Sequence, residues 1–311
     1  MPKSSAVIID AHGRLQLIFA LAHLEKIISD NKKPDFLIIT KVSINNQKKN
    51  FSDIKQYIEN LGVKNIQIPR KKLLKISKNT NLNYTYVISS SLFPINAIKA
   101  LFFSRSKIKK IILIEEGIGS YCGGWAKCFS LHQTGFTVLG IRALIAQPVS
   151  EFLAAIKVFY NSRLISKNYT VNNHLKKQLK YVISKLSVIG LEEHLEGFTV
   201  LALVSNEIEI DEILRIYKKE KILFKPHPHF FVQLKDAEII RREYSIYSGE
   251  RSAEELVARG DFKRIVGYNS SALVYCKILY SIDAVNLSPE RIKDRNARRI
   301  FDVTIESKNH Q

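Results

Sequence analysis

Apolar residues in this chain gather in short unbroken runs, and between the runs they recur every third or fourth position. That is the alternation of buried strand and amphipathic helix. Ala6-Val7-Ile8-Ile9-Asp10 predicts a strand and Ala11 to Arg14 a turn, with Gly13 available for a tight bend. Leu15 to Ser29 follows with Leu17, Leu21, Leu24 and Ile28 on one helical face. The same reading gives strands at Phe36 to Ile39, Asn65 to Pro69 and Tyr84 to Ile88, and helices at Ser52 to Leu61 and Asn96 to Phe103. Ile111-Ile112-Leu113-Ile114 is apolar throughout, as a strand covered on both faces must be. Strands and helices in this order predict a parallel sheet flanked by helices.

Beyond Tyr121 the pattern turns helical, and around Gly190 to Gly197 the acids Glu192, Glu193 and Glu196 break it. A second alternation then begins. Strands are expected at Phe198 to Val204, Lys221 to Phe224, Arg264 to Val266 and Ala284 to Leu287, and helices at Glu209 to Lys218, Leu234 to Tyr244, Ala253 to Arg259 and Ala272 to Ile278. The expected layout is two α/β domains, residues 1–190 and 191–311. The basic stretch Pro289 to Ile300 would pack back or lie exposed.

Composition narrows the class. The 311 residues include 48 Lys+Arg against 29 Asp+Glu, a formal charge of +19, so an anionic partner is expected. Aromatic and basic residues do not interleave as on a nucleic-acid-binding face, which argues against that partner. Cys122, Cys128 and Cys276 lack disulfide-framework or zinc spacing and read as reduced thiols. The first residues show no signal-peptide layout, and no apolar run reaches the ~18 residues of a membrane span. Gly135 to Ala155 comes nearest but carries Arg142, Gln147, Pro148 and Glu151. A cytoplasmic location is expected. Lys176, Lys177, Lys180 and Lys185 form a basic helix face, solvated or in contact with an anionic inner membrane.

Three stretches carry candidate chemistry. Glu115, Glu116 and Gly117 leave the apolar strand at its carboxyl end, where open α/β sheets place their sites. Adjacent, partly desolvated carboxylates repel, which raises one pKa toward that of a general base. In Lys225-Pro226-His227-Pro228 two prolines pin a histidine behind a strand, with Lys225 and His229 as neighbouring cations. In Gly267-Tyr268-Asn269-Ser270-Ser271 a strand runs into a helix whose first N–H groups and hydroxyls suit a phosphate, with Asn269 or Ser270 as the cap. Trp125, the single tryptophan, reads first as a packing residue and second as a platform for a sugar ring.

The order acid pair with Gly, His-Pro, Ser-Ser resembles the motif set of bacterial sialyltransferases of GT-B architecture, of the capsule polysialyltransferase and lipooligosaccharide sialyltransferase type. Leu15-Gln16-Leu17 is also similar to the start of their first helix. The resemblance implies two Rossmann-like domains with a cleft between them, the first holding the base and the acceptor, the second the CMP-sugar. It implies an inverting transfer from CMP-sialic acid to the terminal sugar of a bacterial surface glycan, without metal or other cofactor. In that scheme Glu116 is the base with Glu115 as alternative, and His227 is the acid. Ser270 and Ser271 bind the CMP phosphate, Gly117, Lys225 and Pro228 line the site, and Glu255 matches the acid that holds the ribose. Two departures stand out: Ala253 replaces a proline two positions before Glu255, and Ser205-Asn206 replaces a Gln-Pro. The alternatives are a GT-B transferase with CMP-Kdo or a UDP-sugar as donor, a basic nucleic-acid-binding protein, and a non-catalytic glycan-binding relic.

Overall fold

The computed structural model describes residues 5–11, 13–30, 33–41, 51–69, 83–90, 110–114, 165–167, 175–189, 195–227, 244–292 and 294–305. The chain divides into two compact units, Met1–Gly190 and Leu191–Gln311.

In the first unit β1 (Ser5–Asp10), β2 (Phe36–Lys41), β3 (Lys64–Pro69), β4 (Asn83–Ser90), β5 (Lys110–Ile114) and β6 (Ile165–Lys167) form one sheet in the order β3-β2-β1-β4-β5-β6. Every neighbouring pair is parallel. The chain builds outward from β1 to β3, then returns to β4 on the other side. The carboxyl ends of β1 and β4 therefore flank a topological switch point. Helix α1 (Arg14–Ser29) buries Ile18, Leu21 and Leu24, and an ion pair from Arg14 to Asp53 ties its first turn to α2 (Ser52–Asn60). Helix α3 (Lys176–Ile189) packs on α1 and α2 through Leu179, Val182, Ile183 and Leu186, one stripe at helical spacing. Strand β6 was not expected, since Ile165-Ser166-Lys167 has a single aliphatic to signal it.

In the second unit β7 (Val200–Val204), β8 (Ile222–Pro226), β9 (Arg264–Gly267) and β10 (Asp283–Asn286) form a parallel sheet in the order β10-β9-β7-β8. Val200, Ala202 and Val204 point one way, into a core with Ile210 and Ile213 of α4 (Glu207–Ile216). The alternate residues Leu201, Leu223 and Ile265 are buried on the opposite face. There α5 (Ala253–Arg259) packs on β7 and on α6 (Ser271–Tyr280). A 3-10 turn, Pro289–Arg291, leads to α7 (Arg295–Thr304). Among the arginines of α7, Ala297 and Phe301 are buried, followed by Ile305 just past its end, and the helix packs on α6. The basic C-terminal stretch thus packs back.

The expected end of β8 is corrected. The strand runs two residues past Phe224, and Pro226 is its last residue, opposite Val204. The ladder bond comes instead from the His227 N–H, which donates to the Val204 carbonyl at 2.7 Å. Pro226 turns its missing donor toward the outer side of an edge strand, where proline costs no ladder bond. Two residues earlier, that outer side is bridged by Ser245 to Tyr247, with Phe224 donating to the Ser245 carbonyl and accepting from Tyr247.

Candidate active site

The switch point of the second unit lies between β7 and β9, and the motif residues gather at that carboxyl edge. Gly267 and Lys225 both stand opposite Leu203, one on each side of β7. Strands sit ~4.8 Å apart, so the His-Pro strand end and the Ser-Ser strand end are separated by about 10 Å of backbone. Such a span suits one small phosphorylated ligand. His227 is exposed at this edge. The Lys225 ammonium lies 5.1 Å from the Tyr247 ring centre, a cation–π placement, and its charge also acts on Glu254.

Ser270 is the N-cap of α6, its hydroxyl accepting from the Ala272 N–H at 3.3 Å, and Ser271 is the first helical residue. The cap bond is long, and no acid occupies the first turn of α6. The positive end of the helix dipole is left for a ligand. Gly267 allows the tight approach that shapes this junction: a Cβ there would stand 2.9 Å from Leu203 Cβ and 3.1 Å from its carbonyl.

The starts of α4 and α5 hold their own carboxylates. At α4, Asn206 caps the Glu209 N–H at 3.0 Å, while Glu209 accepts from the Ser205 N–H at 2.6 Å and from the Asn206 amide. Burial raises the pKa of Glu209. The Ser205-Asn206 departure is thereby explained as a self-closed helix start. At α5, Ser252 and Glu255 form a reciprocal capping box, and Arg251 lies 3.7 Å from the Glu255 carboxylate. Glu255 is wholly buried. A ribose contact from Glu255 requires opening that box. The Ser252-x-x-Glu255 spacing was the signal that could have revealed it. Beside it Glu254 is buried, with one carboxylate oxygen unpaired, and burial pushes its pKa up to about 7.

Glu115, Glu116, Gly117, Pro228, His229, Trp125, Cys122, Cys128 and the expected helices at 96–103 and 234–244 lie outside the described residues. Up to that point the acidic strand is in place: β5 ends at Ile114, with Ile112 and Ile114 buried. Cys276 is a buried free thiol, its pKa raised by burial. Among the described residues no cluster of His, Cys, Asp and Glu has the makings of a metal site, and no helix is long and apolar enough to cross a membrane.

The class comes from the family comparison. The chain matches the family model described as Alpha-2,8-polysialyltransferase (POLYST) over residues 13–288. It is a glycosyltransferase of the sialyltransferase class with a GT-B fold. It belongs to the alpha-2,8-polysialyltransferase family. No curated protein sequence matches it. Among solved structures it resembles a candidate UDP-N-acetylglucosamine 2-epimerase from Listeria monocytogenes, at TM-score 0.55 and 11% identity, covering 97% of this chain and 87% of that one. It also resembles the GT-B domain of a sialyltransferase from Photobacterium damselae, at TM-score 0.47, 11% identity and 96% coverage of each chain. Anabaena HepE, solved with UDP and glucose, matches at TM-score 0.49 and 10% identity over 91% of this chain and 80% of its own.

Proposed function

We propose that the protein is an inverting sialyltransferase that moves sialic acid from CMP-sialic acid to the terminal sugar of a bacterial surface glycan. The observation that carries this reading is the family match, joined to the placement of His227 and the acid-free Ser270-Ser271 helix start at one sheet edge. In the reaction the acceptor hydroxyl oxygen bonds to the anomeric carbon of sialic acid as the bond from that carbon to the phosphate oxygen breaks. Glu116, with Glu115 as its partner acid, takes the acceptor proton. Charge builds on the departing phosphate, where the N–H groups and hydroxyls of Ser270 and Ser271 receive it. His227 donates a hydrogen bond and then a proton to that phosphate, and Lys225 adds positive charge beside it. Gly117 and Pro228 line the site, and the reaction needs no metal. The basic balance of the chain suits an anionic donor at the cytoplasmic face of the inner membrane, with peripheral contact to it.

The test is incubation with CMP-sialic acid and a panel of galactosides and sialosides, in chelator, followed by mass spectrometry. Sialylated product and free CMP are expected, with turnover falling about a hundredfold or more in Glu116→Ala and in His227→Ala. Intact CMP-sialic acid, or consumption of CMP-Kdo or a UDP-sugar in its place, contradicts the reading.

A further inference from the structure

We infer that Asn286 and Asn269 are positioning residues for the donor phosphate, a paired-amide clamp that holds the Ser270-Ser271 turn in its binding conformation. The inference rests on the reading of those serines as the phosphate site. Asn269, directly before the cap, has φ +54, in the left-handed region that costs most side-chain-bearing residues and that asparagine tolerates best. It is held there from the neighbouring strand. The Asn286 Oδ1 accepts the Asn269 N–H at 3.0 Å, and the Asn286 Nδ2 donates to the Asn269 Oδ1 at 2.8 Å. The same Asn286 oxygen accepts from the Ser288 N–H at 3.3 Å. Two backbone donors thus fix which end of the Asn286 amide is oxygen, and the amide is 2% exposed at the end of β10. One residue further along the chain, the Leu287 N–H donates to the Gly267 carbonyl at 2.9 Å. The turn is therefore gripped at Gly267 and at Asn269, immediately before the residues that present N–H and O–H groups to an anion. A buried amide used on both its faces to keep one residue at positive φ preorganises the turn before a ligand arrives. Sequence reasoning passed over Asn286 because its partner is 17 residues away and pairs with it only through strand register.

The experiment is calorimetric titration of the full chain with CMP and, separately, with cytidine, which lacks the phosphate, alongside thermal unfolding of each variant. Asn286→Ala is expected to weaken CMP roughly tenfold or more while leaving cytidine unchanged. Asn269→Gly takes positive φ freely and keeps its N–H on Asn286 but loses the side-chain half of the amide pair, so it should weaken CMP by less than Asn269→Ala, which loses that half and the easy positive φ as well. If Asn286→Ala does not fold, the Gly and Ala variants at 269 decide the matter. Ala weakened markedly more than Gly supports the clamp; both native-like, or both equally weakened, overturns it. Asn286→Ala binding CMP normally while the Ser270→Ala/Ser271→Ala double variant loses it overturns the clamp but keeps the phosphate site. Equal loss of CMP and cytidine in Asn286→Ala marks a general structural defect and also overturns it. A double serine variant that binds CMP normally removes the phosphate reading itself, and the clamp with it.

Discussion

Helices α4 and α6 both begin at the switch point of the second sheet, and they treat negative charge in opposite ways. The start of α4 carries Glu207 and Glu209, with Glu209 already seated on the Ser205 N–H, whereas α6 begins with two serines and no acid in its first turn. Helix α5 sides with α4, its capping box closed by Glu255 with Glu254 buried alongside. The lesson is that an anion site is made as much by leaving one helix start without a carboxylate as by supplying donors. Among these three starts the dipole of α6 is the one left for a phosphate.

The contrast can be sharpened by variants at each start. The largest effect is expected at α5. Glu254 is raised from an ordinary 4.5 to about 7 by burial, so the folded chain keeps a proton that the unfolded chain releases. Its contribution is fully present below the unfolded value and is lost as pH rises through about 7. Glu254→Gln stays neutral throughout, and should raise stability above pH 7 by up to about 3 kcal/mol while changing little at acid pH. Urea unfolding at low and high pH checks this, and parallel pH profiles for the two proteins would count against it. At α4, Glu209→Ala strips the Ser205 N–H and the Asn206 amide of their acceptor, a loss of about 1 kcal/mol in the same assay, with CMP affinity unchanged. A fall in CMP affinity there would place the phosphate at the wrong helix. The smallest effect on stability is expected at α6: Ser270→Asp keeps an N-cap acceptor and adds a favourable charge, shifting stability by only ~0.5 kcal/mol.

Much of this was legible in the letters because the relevant signals are local. Unbroken aliphatic runs gave β1, β5 and β7, and helical spacing gave α1. The Gly-Tyr-Asn-Ser-Ser turn announced a strand running into a helix. What was not legible depends on neighbours. Pro226 reads as a breaker until β8 is known to be an edge strand. Helix α7 hides Ala297 and Phe301 among arginines, and Ile305 lies just past its end. Glu255 looked like a ligand, although its partner Ser252 stands at capping-box spacing. The Asn269–Asn286 pair exists only through the register of β9 with β10.

Where the donor phosphate sits is tested most directly by titration of CMP into the native chain and into Ser270→Asp. A carboxylate fixed at the α6 cap would occupy the anion position as Glu209 does at α4. Ser270→Asp is expected to fold with nearly native stability and to bind CMP about a hundredfold more weakly, with cytidine binding retained. Native CMP affinity in Ser270→Asp would contradict that placement of the phosphate.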